Sequence, residues 1–284
     1  MQSLRLEGLV STAWLAEHLD DQGLCVIEVC SVPDDAKYRD GHIPGAAWSF
    51  WKSLCWHDTD RQLVSPREMA KRLGAMGIAA TDTVVLCGDP IQFGTYAYWV
   101  LTLAGHRYLR VLDGGRRKWI AEGRPLTREI SQRPRADYVA GPPGSAESRV
   151  GRRDVRERLD DPGRLLLDVR SPEEYAGERV IDYSFGFDHG AERKGRIPGA
   201  VHLYFRELIN EDESFRPAGE LRAKLAAVGA TPDRVAEIVC YCRLSHRATL
   251  VWFAMMRILG YPAVRVYDGS WTEWGSIVGY PIER

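Results

Sequence analysis

The chain repeats itself at long range, which excludes any fold built as a single copy. Asp113-Gly114-Gly115 followed by Trp119 returns as Asp268-Gly269-Ser270 followed by Trp274, and Gly105-His106 returns as Gly260-Tyr261, all 155 residues on. Gly41-His42-Ile43-Pro44-Gly45-Ala46 returns as Gly195-Arg196-Ile197-Pro198-Gly199-Ala200 at an offset of 154. Such self-similarity means one supersecondary plan used twice. A length of 284 residues agrees, being long for one core and right for two domains. Nearer the front the register changes: Ile27-Glu28-Val29 matches Leu167-Asp168-Val169 at an offset of 140. Fourteen extra residues therefore enter the second copy within 176–194, a stretch that carries Arg179, Tyr183, Phe185, Phe187, His189, Arg193 and Lys194. It is either a surface excursion, the usual fate of insertions, or, since it precedes the Gly195–Ala200 turn, an overhang on the loop that follows Cys242.

Within each copy, short apolar runs alternate with helical patterns. Leu24–Val29, Thr83–Leu86 and Leu109–Leu112 predict buried strands in the first copy, as do Leu165–Val169, Glu237–Tyr241 and Ala263–Tyr267 in the second. Helices fit Ser11–Leu19, Ser65–Met76, Tyr96–Ala104 and Ala248–Leu259. Ser65-Pro66-Arg67-Glu68 is a start signal, with serine as N-cap and the glutamate expected to reach back. The alternation predicts an α/β fold of two tandem domains, each a small parallel sheet with helices on both faces. The expected boundaries are 1–128 for the first domain and 151–284 for the second. Residues 129–150, rich in Pro, Gly, Ser and Arg, form the linker.

The strongest chemical signal is Ile238-Val239-Cys240-Tyr241-Cys242-Arg243-Leu244-Ser245-His246-Arg247. A buried strand ends at a cysteine, and a short basic loop then opens a helix. Backbone amides at such a junction concentrate positive potential. With Arg243, Arg247 and His246 they are expected to pull the Cys242 thiol below its free value of roughly 8.5, leaving a reactive thiolate. Cys240 alternates into the strand and reads as a packed thiol. Cys87, at the matching position of the first copy, is followed by Gly88-Asp89-Pro90 and no cation, so it reads as a remnant.

Composition bounds the rest. A formal net charge of −1 excludes a general nucleic-acid or anionic-membrane binder, since either needs a basic surplus. No stretch approaches the roughly 20 apolar residues of a membrane span, and the N-terminus shows no leader pattern. The six cysteines are scattered, so they read as thiols in the reducing cytoplasm, and no second Cys/His pair stands at zinc spacing. No metal or other cofactor is expected.

The duplicated Gly-x-Ile-Pro-Gly turn, the Asp-Gly-Gly/Ser…Trp segments and the cysteine loop in the second half only resemble the tandem-domain rhodanese family. Its members are the thiosulfate and 3-mercaptopyruvate sulfurtransferases. The resemblance spans nearly the whole chain. It implies a catalytic C-terminal domain beside a degenerate N-terminal one. It also implies that Cys242 carries the transferred sulfur as a persulfide, and that Arg243, Leu244, Ser245, His246 and Arg247 bind the anionic donor. The implied partners are a small sulfur donor and a thiophilic acceptor: cyanide, a small thiol or a thiol protein. Two departures stand out: Ser245 replaces a frequent glycine, and Arg196 replaces a frequent histidine, which brings a further cation. Arginine directly after the cysteine and again at the loop's end looks more like the thiosulfate-using members. A non-enzymatic persulfide carrier is the other reading. A phosphatase, with its Cys-x5-Arg loop, fits poorly because only four residues separate Cys242 from Arg247. Replacing either arginine is expected to weaken thiosulfate use far more than folding.

Overall fold

In the computed structural model, which describes residues 8–144, 148–181 and 190–284, chain contacts gather into two units. The first comprises residues 1–146 with Glu211–Ser214, the second Glu147–Asn210 with Phe215–Arg284. Each is built on a five-stranded sheet in which every pairing is parallel.

The first unit runs β1 (Leu9–Val10), α1 (Thr12–His18), β2 (Leu24–Cys30), α2 (Ala36–Asp40), β3 (Ala47–Phe50) and α3 (Trp51–Cys55). It continues α4 (Pro66–Ala75), β4 (Thr83–Asp89), α5 (Ile91–Leu103), β5 (Leu109–Leu112) and α6 (Gly115–Ala121). The strand order is β1-β5-β4-β2-β3. All of β2 is buried, as expected of a parallel strand covered on both faces. Helix α5 is buried continuously from Gly94 to Leu101, so it lies inside the unit rather than on its surface.

The second unit repeats the plan: β6 (Arg149–Val150), α7 (Arg152–Glu157), β7 (Arg164–Asp168), α8 (Pro172–Ala176), β8 (Val201–His202) and α9 (Ala218–Ala227). After these come β9 (Glu237–Tyr241), α10 (His246–Phe253), a π-helical turn at Ala254–Ile258, β10 (Val264–Tyr267) and α11 (Ser270–Trp274). Its order, β6-β10-β9-β7-β8, is the same order shifted by five strands.

The six predicted strands are present, and β1, β3, β6 and β8 add two to each sheet. Three of those four are two residues long, too short to show any period. Helix α5 starts at Ile91, ahead of the predicted Tyr96, because Pro90 serves as its N-cap residue and not as a break. Ser65 caps α4 as expected, accepting from Glu68 N at 3.2 Å, but Glu68 does not reach back. Its carboxylate pairs with Lys71 at 3.1 Å.

Part of the stretch expected as a linker lies along the first unit. Arg133 donates to Cys25 Sγ at 2.6 Å and Leu24 O at 2.7 Å, and Tyr138 Oη meets His106 Nδ1 at 2.7 Å. Among the described residues no helix is long and apolar enough to cross a membrane.

Candidate active site

Strand β9 is buried throughout, and Cys242 is the residue that follows it. Four residues later α10 begins at His246, so the chain turns from sheet to helix within Cys242–Ser245. That turn is tied to the start of α11. Cys242 N donates to Ser270 Oγ at 3.2 Å, Cys242 O accepts from Trp271 N at 2.9 Å, and Arg243 O accepts from Thr272 N at 3.2 Å. The first rung of the α10 ladder is Thr249 N to Ser245 O at 2.8 Å. Ahead of it, the amides of Arg243, Leu244 and Ser245 donate to no acceptor among the described residues. Uncommitted N–H groups before a helix start are an anion-binding feature.

Cys242 is 1% exposed. Arg243, Leu244 and Arg247 are half-buried, and Ser245 and His246 are buried.

The two arginines, equals in sequence, differ in structure. Arg247 makes a two-pronged pair with Glu174, Nη1 to Oε2 at 2.6 Å and Nη2 to Oε1 at 2.8 Å. Glu174 is fully buried and also accepts from Ser171 N at 2.9 Å, while Ser171 Oγ accepts from Glu174 N at 3.3 Å. This reciprocal capping box opens α8 and supports the loop arginine with the same carboxylate. Burial pushes the Glu174 carboxyl up, but Arg247, joined by the Ser171 amide and Arg170, outweighs it, and the net shift is downward. Burial likewise works against the Arg247 charge, and Glu174 reverses it. Arg243 has no carboxylate partner among the described residues. Burial, then the like charge of Arg247, lowers its pKa, while Cys242 and Glu174 pull the other way.

Beneath the loop, Arg170 and Asp168 are both wholly buried and joined at 2.6 Å. The Arg170 guanidinium lies 4.6 Å from the Trp271 ring centroid and donates to Gly195 O at 2.8 Å. Arg196, expected as a further cation, turns instead to Glu283 and to the Tyr175 ring 4.5 Å away. Trp271 and Trp274 are fully buried packing residues.

The insertion comes to the loop, in its described part. Gly190 lies so close to Arg243 that a Cβ there would stand 2.9 Å from Nη1. Arg193 O accepts from Trp271 Nε1 at 3.0 Å. Tyr183, Phe185, Phe187 and His189 lie outside the described residues.

In the first unit Cys87 sits within β4, fully buried in the core, and α5 follows after Pro90 alone. Burial, reinforced by Glu28, pushes its thiol well above the usual range. The α5 start is occupied by a carboxylate of the chain itself, Ile91 N donating to Glu213 Oε2 at 2.9 Å.

Sequence reasoning missed Ser171 and Glu174, although Ser171-Pro172-Glu173-Glu174 repeats the start signal seen at Ser65. The structure brings Asp268 under the loop, where its backbone and side-chain oxygens meet the Ser245 hydroxyl.

Two parallel α/β units, one of which carries a cysteine at a strand end beside uncommitted amides and arginine, define a tandem protein with one cysteine-loop site. The chain belongs to the rhodanese family: the Rhodanese-like domain model matches residues 11–122 and 152–277. Sulfur transfer of the rhodanese type is the chemistry of that family. The sulfur carrier protein TtuD of Thermus thermophilus is 42% identical over 98% of this chain and 97% of its own length. A protein of Haloferax volcanii, provisionally named a thiosulfate sulfurtransferase, is 38% identical over 97% of this chain and 96% of its own. Among solved structures, a cysteine-persulfide form of EanB with ergothioneine matches with a TM-score of 0.86 at 26% identity. It covers all of this chain and 72% of that one. The anaerobic ergothioneine biosynthesis enzyme of Chlorobium limicola, bound to trimethyl histidine, matches at 0.84 and 26%, with the same coverage.

Proposed function

We propose that the protein is a thiosulfate sulfurtransferase that works through a persulfide on Cys242. The observation that carries the reading is the cysteine loop itself: a strand-end sulfur next to three uncommitted amides and an arginine with no carboxylate partner among the described residues. The Cys242 thiolate attacks the outer sulfur of thiosulfate and forms an S–S bond. The old S–S bond breaks, and its electron pair leaves with sulfite. An acceptor nucleophile, cyanide or a thiol, then takes the outer sulfur and returns the thiolate. Arg243 meets the sulfonate end. Leu244 and Ser245 contribute their amides, His246 opens the helix, and Arg247 adds charge from within its pair with Glu174. The first domain, roughly residues 1–128, is catalytically degenerate, with 129–150 as linker and the catalytic domain at 151–284. A cytoplasmic setting suits six free cysteines.

Intact-mass measurement after incubation with thiosulfate is expected to show one added sulfur atom, lost on adding cyanide and never gained by Cys242→Ala. Steady-state rates with both substrates varied are expected to give parallel double-reciprocal lines. An unmodified wild-type chain, or intersecting lines, rejects the proposal. Running 3-mercaptopyruvate alongside tests the donor.

A second reading has specific support in the 42% identity to a sulfur carrier. On that reading Cys242 hands its sulfur to a protein acceptor. Persulfide would then form without turnover to cyanide or small thiols.

A further inference from the structure

We infer that Ser245 is a positioning residue for the anionic donor, a tether that holds the loop amides in register. This deepens the reading of Cys242 given above and rests on it. Ser245 is at φ +74°, in the left-handed region that a side chain normally avoids. Besides glycines, only Glu213 and Ser270 share a positive φ among the described residues. Ser270 is the residue whose hydroxyl accepts from Cys242 N. Two of the three unusual backbones therefore adjoin the cysteine turn, where strain of this kind tends to gather.

The strain is held by a hydrogen bond. Ser245 is fully buried, and its Oγ lies 2.5 Å from Asp268 O and 3.0 Å from Asp268 Oδ1. A hydroxyl has one proton, so it donates to one of these at a time. Asp268 is itself 3% exposed, and its Oδ2 accepts from Arg149 Nη2 at 2.8 Å. The tether thus runs from the end of the loop to the end of β10 and on to the edge strand β6. It performs two tasks. It fixes the residue at which the chain passes from loop to helix, and with it the direction of the amides of Arg243, Leu244 and Ser245. It also ties the loop to Asp268, whose carboxylate Arg149 already pairs. A glycine would adopt this backbone freely but could not be tied down.

The test uses the full chain with Ser245→Gly and Ser245→Ala. Ser245→Gly removes the hydroxyl and the strain together. It is expected to melt close to wild type while the KM for thiosulfate rises about five-fold, one hydrogen bond's worth, with kcat at saturating donor unchanged. Ser245→Ala keeps the strain without the tether and is expected to show a larger KM rise and a lower melting temperature. Calorimetric titration with sulfite reads the anion site without any sulfur transfer, and affinity is expected to fall in both variants in step with KM. A wild-type KM and sulfite affinity in Ser245→Gly overturns the inference, as does absence of sulfite binding by the wild type. If the wild type gains no sulfur from thiosulfate yet binds sulfite more tightly than Ser245→Gly, the tether stands and the proposed reaction fails.

Discussion

Glu174 joins two tasks in one buried carboxylate: it completes the α8 cap and neutralises Arg247. Removing one partner of a buried pair costs about 3–5 kcal/mol, because the other is left charged and unpaired. Arg247→Ala is therefore expected to lower the melting temperature markedly, whereas Arg243→Ala is expected to melt like wild type and lose about 10²-fold in thiosulfate turnover. The expectation that replacing either arginine weakens thiosulfate use far more than folding is thereby kept for Arg243 alone. The pH dependence follows from the downward shift of the Glu174 carboxyl. The pair stabilises the fold above the unfolded value of about 4.3, and its contribution is lost as pH falls through the lower folded value. Acid titration of stability should show this loss in wild type, and Glu174→Gln should lack it. Cys242 and its arginines were legible in sequence because they are contiguous. The Glu174–Arg247 pair was not, since its members are 73 residues apart and only folding joins them.

The Gly-x-Ile-Pro-Gly turn is anchored differently in its two copies, and chain length in one side chain explains it. In the first, Glu28 accepts directly from Ile43 N at 2.8 Å and pairs with Arg116 from α6 at 2.8 Å. In the second the matching acid is Asp168, one methylene shorter. Tyr241 fills the gap, hydrogen-bonding Asp168 while its Oη accepts from Ile197 N at 3.2 Å. The cation moves as well. Arg170 pairs with Asp168 where the first copy has Cys30, and Trp271 stands where the first has Arg116. Tyr241→Phe leaves Ile197 N without its acceptor, and the expected cost is about 1–3 kcal/mol, read from denaturant unfolding. The repeat itself, the central strands and the Ser65 cap could all be read from sequence. This exchange of anchors could not, because each substitution looks arbitrary until its partner's position is known.

Across the whole molecule, one plan is folded twice and only one copy keeps a loop at its cysteine. Cys87→Ala is expected to leave the sulfur stoichiometry at one atom per chain and turnover unchanged, by intact mass and steady-state rate. Loss of turnover with an unchanged fold would assign the first copy a chemical part. The copies have also diverged in what they can spare. Arg193, near the end of the stretch unique to the second, donates to the carbonyls of Trp274, Gly275, Ile277 and Tyr280. Two of those oxygens end the last helix and two lie in the segment after it, so the extra stretch holds both together. Trimming that stretch back to the length of its twin would strand all four carbonyls, so the longer copy depends on its own surplus.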